Sequence, residues 1–252
     1  EHGRRRAGVG EEFWQYRQAV PGDAAGSIDW RRSARSDAAF VRQTEWSAPQ
    51  SVTFAVDAGR AMDYPQAGET KRTRAGLLAL SAALLLNRAG ERIGLPDLPP
   101  APGRAQVERV AETLGGEMRA EVDRLVPRVP ERRRGIVVIL SDFLGDEAAL
   151  RADLAHLSGA GQRAVLVQVL DESELQFPFD GRVEFSSMTG ATRFETERAR
   201  SLREQYRARL AARQDLLAQA ARRGGWDFTT HLVQHAPARA LLWLHGAIAG
   251  AR

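Results

Sequence analysis

Three apolar runs along the chain each close on an aspartate. Val52 to Val56 stops at Asp57, Gly135 to Phe143 carries Ser141 and Asp142 at its end, and Arg163 to Leu170 stops at Asp171. Short unbroken apolar runs between polar flanks are the pattern of strands buried on both faces. Segments of helical period lie between and after them. Thr70 to Arg88 is an apolar helix stopped by Gly90, and Ala105 to Leu114 lines up Val107, Val110, Ala111 and Leu114. Glu117 to Val126 resumes a helix, and a further one capped by Asp146 sets Leu150, Leu154 and Leu157 in register. Thr192 to Arg223 is the longest helical pattern, and Pro237 opens a last helix. Arg92 to Leu95 and Trp226 to Leu232 read as strands, Pro96 to Pro102 as a proline-stiffened loop, and Glu172 to Ser187 as a hairpin or looped excursion. Strands alternating with helices predict an α/β fold, a doubly wound and mostly parallel sheet with helices on both faces. Ligands of such sheets bind at the carboxyl ends of the strands, which makes Asp57 and Asp142 candidate site residues.

Upstream, Glu12 to Val20 and Ala38 to Trp46 read as strands around a Pro21-Gly22-Asp23 turn, with Ile28 to Arg35 as a short helix or turn holding Trp30 inward. Pro49 marks the joint. The expected division is residues 1–48 as a small β-rich lobe and 49–252 as the α/β domain. Arg17, Asp23, Asp29 and Arg35 place two cations and two anions within nineteen residues. They read either as a recognition surface for a partner protein or as an ion-pair network that pins the lobe to the sheet, and Trp30 beside Asp29 favours the packed network.

Composition removes several function classes. With no cysteine in 252 residues, thiol nucleophiles, disulfides and zinc-thiolate sites are excluded. The longest apolar stretch, Leu77 to Leu86, is too short for a membrane span. A net charge of +4 invites nucleic acid as a partner, but the arginine clusters are short, scattered and without interleaved aromatics. The Gly159-to-Ala164 string matches a dinucleotide motif but precedes a strand instead of following one, and the five histidines have no metal-ligand spacing. Glu172 and Glu174 follow Asp171 at the crevice edge and read either as a carboxylate cluster or as solvated loop acids, the second being the simpler reading.

Two resemblances sharpen the picture. Glu11 to Arg35, EEFWQYRQAVPGDAAGSIDWRRSAR, resembles the signature of the domain of unknown function 58 family through Gly10, Glu12-Phe13, Arg17, Pro21-Gly22-Asp23, Ile28-Asp29-Trp30 and Ala34-Arg35. The strand ending in Asp57, with a later strand ending in Ser141-Asp142, resembles a von Willebrand factor type A domain, a Rossmann-like sheet. That resemblance implies magnesium held by an Asp-x-Ser-x-Ser motif, a loop threonine and a second aspartate. Here the motif reads Asp57-Ala58-Gly59-Arg60-Ala61, so Gly59 and Ala61 offer no side-chain oxygen, and Gly94 to Gly103 has no Ser or Thr. The expectation is a degenerate edge of Asp57, Gly59, Ala61, Ser141 and Asp142 with no metal and no cofactor, in which Arg60 can pair with the acids. The resemblance implies a non-enzymatic protein-interaction module of bacteria. Its partner would be a MoxR-type AAA+ ATPase, in chaperone-like or envelope-related assembly, in the cytoplasm or facing the inner membrane. The alternatives are a metal-dependent hydrolase or adhesion-type ligand binder at the same edge, and a basic nucleic-acid-binding protein.

Overall fold

The structure, a computed structural model, describes residues 7–35, 38–45, 49–65, 68–116, 135–179, 183–186, 193–196 and 199–250. The chain divides into two compact units, Glu1–Pro49 and Gln50–Arg252. In the first, strands β1 (Ala7–Gln18) and β2 (Phe40–Glu45) pair antiparallel, and the one-turn helix α1 (Trp30–Ser33) lies between them in sequence. Asp29 caps α1 by accepting from the Arg32 amide at 3.0 Å. Trp30, expected inward, is 64% exposed. Helical side chains lean over the turn that precedes them, and Trp30, first in a one-turn helix, has none.

The second unit contains, in order, β3 (Ser51–Val56), α2 (Lys71–Arg88), β4 (Arg92–Leu95), β5 (Leu98–Ala101), α3 (Arg104–Gly115), β6 (Ile136–Ser141) and α4 (Glu147–Gly159). It continues with β7 (Arg163–Leu170), α5 (Glu172–Gln176), β8 (Val183–Ser186), β9 (Arg193–Thr196), α6 (Ala199–Gly224), β10 (Asp227–Leu232) and α7 (Pro237–Gly250). Six strands form one sheet in the order β10-β7-β6-β3-β4-β5, parallel throughout except for β5 against β4. Because strand side chains alternate, Val52, Phe54, Val56, Val138 and Leu140 meet α2, α3 and α7 on one face. Ala55, Val137, Ile139 and Leu166 meet α4 and α6 on the other. Phe54, Ile139 and Leu140 are fully enclosed, and each such burial contributes roughly 1.5–3 kcal/mol. The sheet is therefore covered by helices on both faces, as its apolar runs require. No described helix is long and apolar enough to cross a membrane.

Three expectations change. The proline-rich segment is not a loop: Leu98–Ala101 forms β5, an edge strand, where prolines are tolerated. The hairpin depends on Gly94, since a Cβ there would meet the Leu98 carbonyl oxygen at 2.4 Å. Gln106 ties the hairpin to α3 by donating to the Ile93 and Pro99 carbonyls at 2.9 and 3.0 Å. Glu172 to Ser187 begins as helix α5 before β8, which pairs with β9, so α6 starts only at Ala199. The expected helix at Glu117 to Val126 lies outside the described residues.

Candidate functional site

Strand order changes direction between β3 and β6, the point where an open α/β sheet leaves a crevice beyond its carboxyl edge. Asp57, Asp142 and Asp171 directly follow β3, β6 and β7, and all three are buried. The Asp57 carboxylate accepts from the Gly59 amide at 2.7 Å and the Ser141 hydroxyl at 2.6 Å. Ser141 in turn accepts from the Phe143 amide at 3.0 Å, and Phe143 sits at a φ of 53°. Burial pushes the Asp57 carboxyl up to about 6, although the Ser141 and Gly59 bonds pull against it.

Asp142 takes a different partner. Lys71, the first residue of α2 behind the Thr70 cap, puts its ammonium 2.7 Å from Asp142 Oδ2 and 2.6 Å from Glu174 Oε1. Its side chain is 1% exposed. Burial works against the charged amine, but the pull of Asp142 and Glu174 outweighs it and holds Lys71 above the ordinary lysine value. Two acids share one ammonium, and burial raises the Glu174 carboxyl despite Lys71. Of the two readings for Glu174, the acid cluster at the crevice edge holds and the solvated loop acid does not. Its second oxygen accepts from the Asp171 amide at 2.9 Å, closing a capping box at the start of α5. Asp171 accepts from the Ser173 amide and hydroxyl and from Gln234. Since the Ser173 hydroxyl gives its proton to Asp171, Tyr64 must be the donor in its 2.7 Å bond to Ser173.

Arg60, expected to neutralise these acids, is exposed on the 3₁₀ turn Arg60–Asp63, which points it outward. Arg72 supplies the nearby cation: it pairs with Asp63 at 2.6 Å and donates to the Ala58 and Gly59 carbonyls at 3.0 Å each. A divalent ion here would need hard oxygen ligands. Gly59 and Ala61 have none, Asp57 is committed to Ser141 and Gly59, and an ammonium already bridges Asp142 and Glu174. Among the described residues no three His, Cys, Asp or Glu side chains gather as a metal cluster. The residues present do not fit the ion.

Next to these acids lies a cavity of about 520 Å³ whose lining includes Tyr64, Glu174, Phe177, Phe179, Tyr206 and Arg209. Phe177 closes α5 in the left-handed region, at φ 47°, a strained placement for a bulky residue. It stacks on Tyr206 at 4.8 Å and meets Phe179 edge-on at 5.2 Å. Arg203 and Arg207 of α6 hold the end of α5 by donating to the Phe177 and Gln176 carbonyls at 3.0 and 2.6 Å. Burial and the Glu174 and Asp142 charges push the Tyr206 hydroxyl upward, so it stays protonated.

In the first unit, Arg17 grips Asp23 with two bonds of 2.7 and 2.6 Å, across the turn where Gly22 takes a φ of 108°. Asp29 accepts from the Tyr16 hydroxyl at 3.0 Å. Asp29 and Arg35 border a polar cavity of about 500 Å³ with Arg31, Arg32 and Tyr16, and the Arg32 guanidinium lies 4.3 Å over the Tyr16 ring. Within the quartet, Arg17 and Asp23 form an ion pair and Asp29 caps α1.

Lys71, Glu174, Tyr64, Phe177 and Tyr206 were not legible as site residues from strand ends alone. One signal was present: of 36 lysines and arginines in the sequence, Lys71 is the single lysine.

Comparison with known proteins agrees with the N-terminal signature. Three relatives, one from Mycobacterium bovis and two from strains of Mycobacterium tuberculosis, are each 28% identical over 194 residues and are described as uncharacterized proteins. The match covers 70% of this chain and 60% of each relative, so the chain spans less than two thirds of their length. No solved structure matches it. The family model described as protein of unknown function DUF58 matches residues 15–216, and the chain belongs to that family.

Proposed function

We propose that the chain is a non-enzymatic protein-interaction module whose sheet domain is a degenerate relative of the von Willebrand factor type A fold. The observation that carries this reading is the division of labour at the rim. Every acid there is occupied by the protein itself: Asp57 by Ser141 and Gly59, Asp142 and Glu174 by Lys71, and Asp171 by Ser173 and Gln234. General acid–base work needs a carboxyl free to take a substrate proton, and of these acids Glu174 alone borders the cavity, with its two oxygens held by Lys71 and the Asp171 amide. What the rim offers a visitor is the aromatic wall of Tyr64, Phe177, Phe179 and Tyr206. A concave aromatic patch suits an apolar anchor side chain from a partner protein, the kind of contact that dominates interface energetics. The partner implied by the family resemblance is a MoxR-type AAA+ ATPase, in chaperone-like or envelope-related assembly on the cytoplasmic side of a bacterial membrane.

The test is interferometry between the purified chain and the MoxR-type ATPase encoded in the same genome. Saturable binding is expected, weakened about tenfold or more by Phe179→Ala or Tyr206→Ala, the cost of losing one well-packed anchor contact, with the melting curve of Phe179→Ala unchanged. No binding by the wild-type chain, or binding indifferent to both substitutions, contradicts the reading.

A further inference from the structure

We infer that Lys71 is a tethered replacement for a divalent cation: the ammonium takes the position between the rim carboxylates that an ion would hold, and makes the rim independent of metal. This goes beyond the proposed function, because it concerns what holds the acids together and stands whether or not a partner docks.

Four observations meet on this one side chain. The first is geometric: Nζ lies 2.7 Å from Asp142 and 2.6 Å from Glu174, with the side chain 1% exposed. These acids sit at the switch point of the sheet beside Asp57, whose own carboxyl is pushed upward in part by Asp142. The second is chemical. Of the 36 lysines and arginines in the chain one alone is lysine, and it stands here. An arginine fork is planar and directional, whereas an ammonium is a compact point charge and the closest a side chain comes to an ion. The third is positional. Lys71 is the first residue of α2, where the helix macrodipole disfavours a cation, so the charge serves the acids and not the helix. The fourth is architectural. Glu174 belongs to α5, Asp142 follows β6 and Lys71 begins α2, so one ammonium cross-links three elements as a coordinated ion would. Through Glu174 it also fixes α5, whose Ser173 holds Tyr64 and whose end places Phe177 in the cavity wall.

If the ammonium stands in for an ion, deleting it should uncover an ion site. Two carboxylates with water complete a workable shell for a hard divalent cation, and removing the lysine head makes room for that water. The experiment titrates manganese(II) into the wild-type chain, Lys71→Ala and Lys71→Ala/Asp142→Asn, reading free manganese by electron paramagnetic resonance and stability by thermal melting. The wild type is expected to take up no stoichiometric manganese and to melt identically with and without a chelator. Lys71→Ala is expected to gain one site at least tenfold tighter than any wild-type binding, to melt higher when manganese is added, and to lose both gains with Asp142→Asn. Should Lys71→Ala not fold without metal, it must fold with one equivalent of manganese and unfold when a chelator removes the ion; failure to fold with manganese present also overturns the inference. A folded lysine-free variant that binds no better than wild type overturns the inference. So does a wild-type chain that binds one manganese ion through Asp142.

Discussion

Two regions of this molecule hold a basic side chain against carboxylates and surround it with very different amounts of water. In the N-terminal unit, Arg17 grips Asp23 while 34% of its side chain stays accessible. At the sheet rim, Lys71 bridges Asp142 and Glu174 with 1% accessible. The half-buried pair, still reached by water, gains little on balance from its partner; it shapes the turn that Pro21 and Gly22 already dictate. The buried triad has no water to fall back on, so losing the cation leaves two desolvated charges side by side. The same chemistry is therefore ornamental in one unit and obligatory in the other, and burial alone makes the difference.

The largest effect is expected from Lys71→Met, which strands Asp142 and Glu174. It should cost about 3–5 kcal/mol and lower the melting temperature by roughly 10 °C. Lys71→Arg should not rescue it, because a guanidinium cannot occupy the space of an ammonium. Adding Asp142→Asn and Glu174→Gln to Lys71→Met should recover more than half of the loss in urea unfolding. No recovery would mean that packing, and not charge, is what Lys71 supplies.

A smaller effect concerns pH. Asp57, raised by burial to about 6, binds its proton more tightly folded than unfolded, so it adds stability as the solution is acidified through 6. His231, lowered to about 4 by its burial and by Arg74, does the reverse: the unfolded state takes up the proton first, and stability falls below the ordinary histidine value. Arg74 donates to His231 Nε2 at 3.1 Å, which leaves Nδ1 to carry the ring proton. Between pH 6.5 and 4 these two groups oppose each other, each by on the order of 1–2 kcal/mol once solvent screening is allowed for. Asp57→Asn should lose stability on acidification more steeply than wild type, and His231→Gln less steeply, in urea midpoints measured across that range.

The smallest effects lie in the first unit. Asp29→Ala removes the α1 cap and the acceptor for Tyr16, a loss of about 1 kcal/mol or roughly 2–4 °C in melting temperature. Asp23→Ala should move the melt by no more than about 2 °C. A large loss at Asp23 would erase the contrast between the two regions.

The sheet was readable in advance because burial on two faces leaves an unmistakable trace: Val52–Val56, Ile136–Leu140 and Ala164–Leu170 admit no other period. Asp57 and Asp142 followed from where those runs stop. The partners of the acids did not, since Lys71 and Glu174 are brought in by helices distant in sequence, at separations of 71 and 103 residues from Lys71 to its two partners. Arg60 misled for the same reason, its nearness to Asp57 in sequence being undone by a turn. Trp30 stays exposed because a helix of only one turn gives its ring nothing to pack over, whatever its aromatic character suggests.

Because the chain has a single lysine, labelling lysine with nitrogen-15 gives one side-chain resonance with nothing to overlap it, and its titration addresses the rim directly. A slowly exchanging ammonium signal is expected that persists above pH 10.4, where an ordinary lysine is half deprotonated, and that is unmoved by manganese. A signal that exchanges like a surface amine, titrates at or below the ordinary value, or broadens when manganese is added would contradict the account.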